Sequence, residues 1–311
     1  MELRNFGRLG QISALTLGGG GIGGVWGTTD RREAVATVHA AVDAGITMLD
    51  VAPGYGTDFE AERVAASAKN VMITSKVGLP DDDERNFAGR IRRSLTASLE
   101  RLGRDHLDLF LLHTQIRTAV PARETIGRDG YHEVAAEFER LRDEGLIRAW
   151  GITAIGHPDS VIAALGDSPR PDAAQVVVNG LDLQADWYFP GVPPRSDEIV
   201  RAAAGHDVAV MGIRAVAAGA LTSAVDRAIE PGAPITADFA RAEPFRKLAA
   251  EWGTSPAALA HRFALSVPGV ATVVLGVKNR AELAECLAAE AAGPLAPSEV
   301  DAIRGLRTAA S

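Results

Sequence analysis

Four polar residues stand where short apolar runs end. Asp50 closes Thr47–Val51, Tyr55 follows in Pro53-Gly54-Tyr55-Gly56, Lys76 closes Ile73-Thr74-Ser75-Lys76, and His113 follows Leu111-Leu112. Each run reads as a strand, so each side chain belongs at a strand's C-terminal end or in the loop leaving it. Together the four types make a proton-transfer set. A tyrosine hydroxyl has an ordinary pKa of about 10, too high to trade protons readily near neutrality. A lysine ammonium beside the phenol favours phenolate and is expected to lower that value. An aspartate holds the lysine charged, because an unpaired ion in such a pocket is costly. A neutral histidine can orient a carbonyl or relay the proton. The chain has three tyrosines, and Tyr55 is the one flanked by glycines in a strand-end loop. Singly, such residues are more often structural, so the reading rests on the combination.

The positioning elements come from alternation. Strands are expected at Ala14–Leu17, Thr47–Val51, Val71–Val77, Leu107–Leu112, Arg148–Thr153, Ala174–Val178, Val208–Gly212 and Ala271–Leu275. Helical patterns intervene, among them Arg31–Asp43, Phe87–Leu102, Glu133–Asp143, Ser196–Ala204, Ala257–Leu265 and Arg280–Ala288. Asp30 is placed to cap the first of these, Gly45 to end it, and Ser255-Pro256 to start another. Eight such units predict a (β/α)8 barrel, read as one domain over residues 1–311, with the hairpin Leu3–Leu15 as a plug. Three long connections, Thr114–His132, Gly180–Arg195 and Arg214–Arg241, follow strands and so belong on the barrel's C-terminal face, where active sites form. The second carries Trp187-Tyr188-Phe189, either an apolar wall for a ligand or a loop packing its own aromatics.

Bulk properties narrow the function. The net charge of −8 argues against a basic surface for nucleic acid or anionic membrane. No apolar run reaches the roughly 18 residues that span a bilayer, and the N-terminal stretch has no apolar segment of a signal peptide. One cysteine, Cys286, rules out an intramolecular disulfide and a cysteine-cluster metal site. A cytoplasmic protein acting on a small molecule is expected, as a monomer or weak homo-oligomer. The run Gly18–Gly23 matches a dinucleotide fingerprint, but that motif needs its last glycine to enter a helix. Here the helix is expected only from Arg31, so the glycines are read as allowing close approach of backbone to a ligand, with Trp26 beside it.

Further along, the chain resembles the aldo-keto reductase superfamily over nearly its whole length. Leu9–Gly18 is similar to the family's hairpin and first strand, and Asp50-Val51-Ala52-Pro53-Gly54-Tyr55-Gly56 to its D-x-A-x-x-Y-G signature. The segment from Ser94-Leu95 to Asp108 and the Gln175–Asn179 stretch (Q-x-x-x-N) also match. The resemblance implies a catalytic tetrad of Asp50, Tyr55, Lys76 and His113. Hydride would pass between a nicotinamide and a carbonyl carbon while Tyr55 exchanges the proton. It also implies cofactor contacts from Thr153, Gln175, Ile213, Arg214, Gly276, Lys278 and Arg280, and substrate contacts from Trp26, Thr114 and Trp187. Several positions depart from the family pattern: Ala154 replaces an asparagine, Ile213 an aromatic ring, Glu282 a glutamine or arginine, and Cys286 an asparagine. NADPH is expected through Lys278 or Arg280, with NADH the second option; the same two residues also fit an ordinary helix-start surface pair. The implied substrate is an aldehyde, ketone or sugar-like hydroxy-carbonyl. The alternative is a nicotinamide-binding regulatory barrel with little turnover.

Overall fold

Apolar runs rich in Val, Ile and Leu form eight parallel strands in the computed structural model, which describes residues 1–79, 86–118, 125–184, 187 and 191–307. They are β1 (Leu15–Gly18), β2 (Met48–Asp50), β3 (Met72–Val77), β4 (Leu107–Leu112), β5 (Ile147–Thr153), β6 (Ala173–Val177), β7 (Ala209–Ile213) and β8 (Val270–Leu275). Each pairs with the next in chain order, and β8 returns to β1 through Val273 with Leu15 and Leu275 with Leu17, closing the barrel. Helices cover the outside and side chains fill the inside, so β4 is buried at every position. This is the expected (β/α)8 fold, with every strand within a residue or so of its expected limits.

The N-terminal hairpin pairs Leu3–Asn5 with Gln11–Ser13. Phe6, Leu9 and Ile12 pack on Met48, Leu109, Leu111, Ala173 and Met211 from the strands, sealing one end of the barrel. Arg4 fastens the plug by donating to the carbonyls of Leu265 and Val270, both at 3.1 Å.

The helix expected from Glu133 begins at Arg128 instead. Gly130 in its first turn is a poor helix residue, by roughly 1 kcal/mol. Burial of Tyr131, whose hydroxyl donates to the Ala164 carbonyl at 3.0 Å, outweighs that preference. Further along, Phe138 packs between Phe110 of β4 and Trp150 of β5, with ring centroids 5.3 and 5.7 Å apart. The expected caps form: Asp30 accepts from the Glu33 N–H and Ser255 from the Ala258 N–H.

The glycine run corrects another expectation. Rather than staying irregular until Arg31, Gly19–Ile22 makes a single buried α-helical turn directly after β1. Its glycines serve close packing of backbone. A Cβ on Gly21 would lie 2.0 Å from the Val277 carbonyl oxygen, and one on Gly23 would lie 2.6 Å from that of Tyr55.

Candidate active site

The strand ends deliver the four candidate residues to one place. Asp50 is the last residue of β2, Lys76 lies one residue before the end of β3, and His113 directly follows β4. Lys76 is fully buried, and its ammonium donates to both Asp50 oxygens at 2.8 Å and to the Val51 carbonyl at 3.0 Å. The carboxylate and the carbonyl hold the desolvated cation in a fixed direction, with the Tyr55 side chain also within its hydrogen-bonding reach. It sits 4.7 Å from the Tyr55 ring centroid, and His113 meets that ring edge-on with centroids 5.8 Å apart. Gln175 completes the cluster by donating from Nε2 to Asp50 at 2.7 Å.

Burial works against the Lys76 charge, but the Asp50 carboxylate and the Tyr55 phenol outweigh it and hold the ammonium above the ordinary lysine range. Burial raises the Asp50 carboxyl, opposed by Lys76 and by the hydrogen bonds it accepts. For Tyr55 the expectation of a lowered pKa is corrected: burial raises it more than the Lys76 charge lowers it. The phenol is therefore held neutral, the form that can donate a proton. Burial, and then Lys76, push the His113 imidazole down to about 3, so it is neutral near neutral pH.

Asp50 and Tyr55 open onto a cavity of about 430 Å³. It is lined by Gly18–Gly20, Trp26, Gln175, Trp187 and Ile213–Val216, then by Gly276–Lys278 and the helices Pro256–Ser266 and Arg280–Ala291, which contribute His261, Glu282 and Cys286. Trp26 lies against the backbone of Gly20, where a Cβ would approach its Nε1 to 2.5 Å. Arg214 adopts left-handed backbone (φ 54°) as the chain leaves β7. Its guanidinium stacks on Trp187 at 3.6 Å from the ring centroid and lies 5.8 Å from that of Trp26. Ile213, Val177 and Ile155 pack together with Trp187 and Val274 against them. Trp187 thus forms an apolar wall; Tyr188 and Phe189 lie outside the described residues.

Other expected contacts fall differently. Thr153 is not at the cavity surface, yet its hydroxyl is buried and without a hydrogen-bond partner, directly beside Gln175 in the β5–β6 register. Thr114 is not a cavity residue: its Oγ1 accepts from the Leu79 N–H at 2.7 Å and donates to the Leu79 carbonyl at 3.1 Å. Asn179 staples its own loop, donating to the Leu183 carbonyl at 2.8 Å and accepting from the Leu183 N–H at 2.9 Å. Lys278 lines the cavity but is clamped by Asp226 and Glu282 at 2.8 and 2.6 Å. Arg280 lies outside it, paired with Glu33 at 2.8 Å. Asp226, Arg227 and His261 were not anticipated; the length of the Arg214–Arg241 connection was the one signal for the first two.

A protein-family model described as the aldo/keto reductase family matches residues 14–308. Aldo-keto reductase YhdN of Bacillus subtilis (strain 168) is 33% identical over 154 residues, 46% of this chain and 44% of that one. Methylglyoxal reductase YeaE of Escherichia coli (strain K12) is 31% identical over 137 residues, 42% of each. These matches span about half the length of the curated relatives or less. Among solved structures, glycerol dehydrogenase AKR11B4 from Gluconobacter oxydans superposes with a TM-score of 0.70 at 24% identity, covering 95% of this chain and 91% of that one. That likeness speaks for the fold.

Proposed function

The chain belongs to the aldo/keto reductase family, and on that premise we propose that it is a nicotinamide-dependent oxidoreductase interconverting a small carbonyl compound and its alcohol, with Tyr55 as the acid and base. The observation that carries the reading is the buried Asp50–Lys76 pair set against Tyr55, with Asp50 and Tyr55 in the wall of a cavity.

The cavity's donor set suits a nicotinamide. Gln175 lines the cavity, and the unpartnered Thr153 hydroxyl is its neighbour in the strand register rather than a lining group. With the Gln175 Nε2 committed to Asp50, its carbonyl oxygen remains to accept from a carboxamide. Ile213 offers an apolar face without aromatic stacking, and Arg214 and Arg227, both over Trp26 in the cavity lining, are the cations that would pair with a pyrophosphate. When bound, the nicotinamide supplies or accepts the hydride. The protein's own residues manage the proton. In reduction the Tyr55 hydroxyl donates to the carbonyl oxygen while the Lys76 ammonium stabilises the phenolate left behind. Neutral His113 is a hydrogen-bond donor that orients that oxygen without adding charge. In the reverse direction the phenolate removes the alcohol's proton. Methylglyoxal and aldose-type oxidoreductases among the relatives support a small aldehyde, ketone or hydroxy-carbonyl as substrate.

The test is Tyr55→Phe, assayed at 340 nm against aldehydes, ketones and sugars with both cofactors. Turnover should fall by about 10²–10⁴ while dinucleotide binding stays within roughly threefold. Turnover within about tenfold of the parent removes Tyr55 from the role. Binding without measurable turnover of any compound in the parent protein would instead favour a regulatory barrel.

A further inference from the structure

We propose that the cavity selects a dinucleotide whose adenosine ribose carries free hydroxyls, through Glu282 and its hold on Lys278, so that NADH binds this protein more tightly than NADPH. The inference rests on the dinucleotide reading above and names its cofactor.

In this fold the helix N-terminus after the last strand offers an anion backbone N–H groups and nearby cations. Here carboxylates of the protein, Glu282 and Glu33, already take the Lys278 and Arg280 backbone donors at that end. One Glu282 oxygen accepts from the Lys278 backbone N–H at 2.8 Å. The other accepts from the Lys278 ammonium at 2.6 Å and from Asn279 Nδ2 at 3.3 Å. Asp226, reaching over from the long connection after β7, accepts from the same ammonium at 2.8 Å. Arg280, the second cation expected to meet a phosphate, gives its backbone N–H and its guanidinium to Glu33 and does not line the cavity.

A 2′-phosphate entering here meets Asp226, Glu282 and Glu285, all at the cavity surface, with Lys278 the cation among them. It must either displace the carboxylates from Lys278 or sit beside them as a like charge, and both are unfavourable. A ribose hydroxyl faces neither cost. It donates to a carboxylate oxygen, which has lone pairs to spare, and leaves the Lys278 pairs intact. Arg214 and Arg227, the other cations lining the cavity, lie over Trp26 rather than against Glu282.

The experiment measures binding directly. The full chain is titrated with NADH, NADPH, ADP-ribose and 2′-phospho-ADP-ribose at fixed ionic strength, following quenching of tryptophan fluorescence, with Trp26 beside the cavity. NADH and ADP-ribose should bind at least about tenfold more tightly than their phosphorylated counterparts, the scale of one charge-assisted hydrogen bond exchanged for a like-charge contact. Glu282→Gln keeps an acceptor for the Lys278 N–H but removes the charge, and Asp226→Asn frees Lys278 from its other partner. Each should narrow the ratio by raising affinity for the phosphorylated ligands. Tighter binding of NADPH by the parent, or a ratio unmoved by both variants, overturns the inference and leaves the dinucleotide reading standing. Binding of none of the four ligands overturns both.

Discussion

Replacing Lys76 with methionine isolates the Asp50–Lys76 pair, because methionine fills much of the same volume and offers no proton. The side chain is fully buried and makes three hydrogen bonds, two of them to Asp50. Asp50, 3% exposed in the parent, would keep only Gln175 as its side-chain donor. Breaking a buried pair in this way costs about 3–5 kcal/mol, since the remaining charge is uncompensated. The variant can limit the loss by protonating Asp50, whose carboxyl burial already pushes upward. The sign follows from linkage. A carboxyl with a folded pKa above its unfolded value binds more protons in the native state, so unfolding free energy falls as pH rises from the unfolded value of about 4 through the folded one. Lys76→Met should therefore be closest to the parent near pH 5 and fall behind it towards pH 8, by at most about 1.4 kcal/mol per pH unit. Urea denaturation followed by circular dichroism at several pH values measures this directly. Adding Asp50→Asn should recover most of the loss and flatten its pH dependence. A loss under about 1 kcal/mol at pH 8, or a double variant no more stable than the single one, would refute the account of the pair.

Three further outcomes follow from other parts of the molecule. The His113 ring, held down to about 3, should show no chemical-shift titration by NMR between pH 5 and 8; because its folded pKa is depressed, it contributes stability that is lost as pH falls below the unfolded value of about 6.5, and a midpoint near 6 would contradict this. Gly21→Ala should destabilise by about 2 kcal/mol or more in thermal melts, because its Cβ would collide with the Val277 carbonyl, while Gly54→Ala, with open space around it, should be nearly neutral. Asn179→Ala should cost about 2 kcal/mol in urea titrations by orphaning both Leu183 backbone groups, and dinucleotide affinity should change less than stability does.

What could be read from sequence follows a physical divide. Strand positions were legible because apolar runs bounded by helical patterns report burial on both faces. Asp50, Lys76 and His113 were legible because a strand end points its terminal polar residue to one side of the barrel. Helix starts were less so: Gly130 argues locally against a helix, and the burial of Tyr131 that overrides it depends on Ala164, far along the chain. The same holds for Thr114, whose hydroxyl belongs to Leu79 across a strand pair. Most of all, it holds for Lys278 and Arg280. Their charge was visible, but their partners Asp226, from the long connection after β7, and Glu33, from the helix Arg31–Asp43, meet them only on folding. The direction of the Tyr55 shift was missed for a related reason, since spacing reveals a neighbouring cation more readily than it reveals loss of water.

The seam between β8 and β1 has a consequence for synthesis. Leu15 and Leu17 wait for Val273 and Leu275, and the Arg4 side chain waits for the carbonyls of Leu265 and Val270. At typical elongation rates of about 5–20 residues per second, the first strand leaves the ribosome many seconds before its second neighbour exists. Until then β1 has an open edge and the plug lacks its anchor. Such an edge invites pairing with other chains, so chaperone demand in the cell should be greatest just before the last strand emerges. Circular permutants that move this seam to another strand pair would shift that moment without changing the finished barrel.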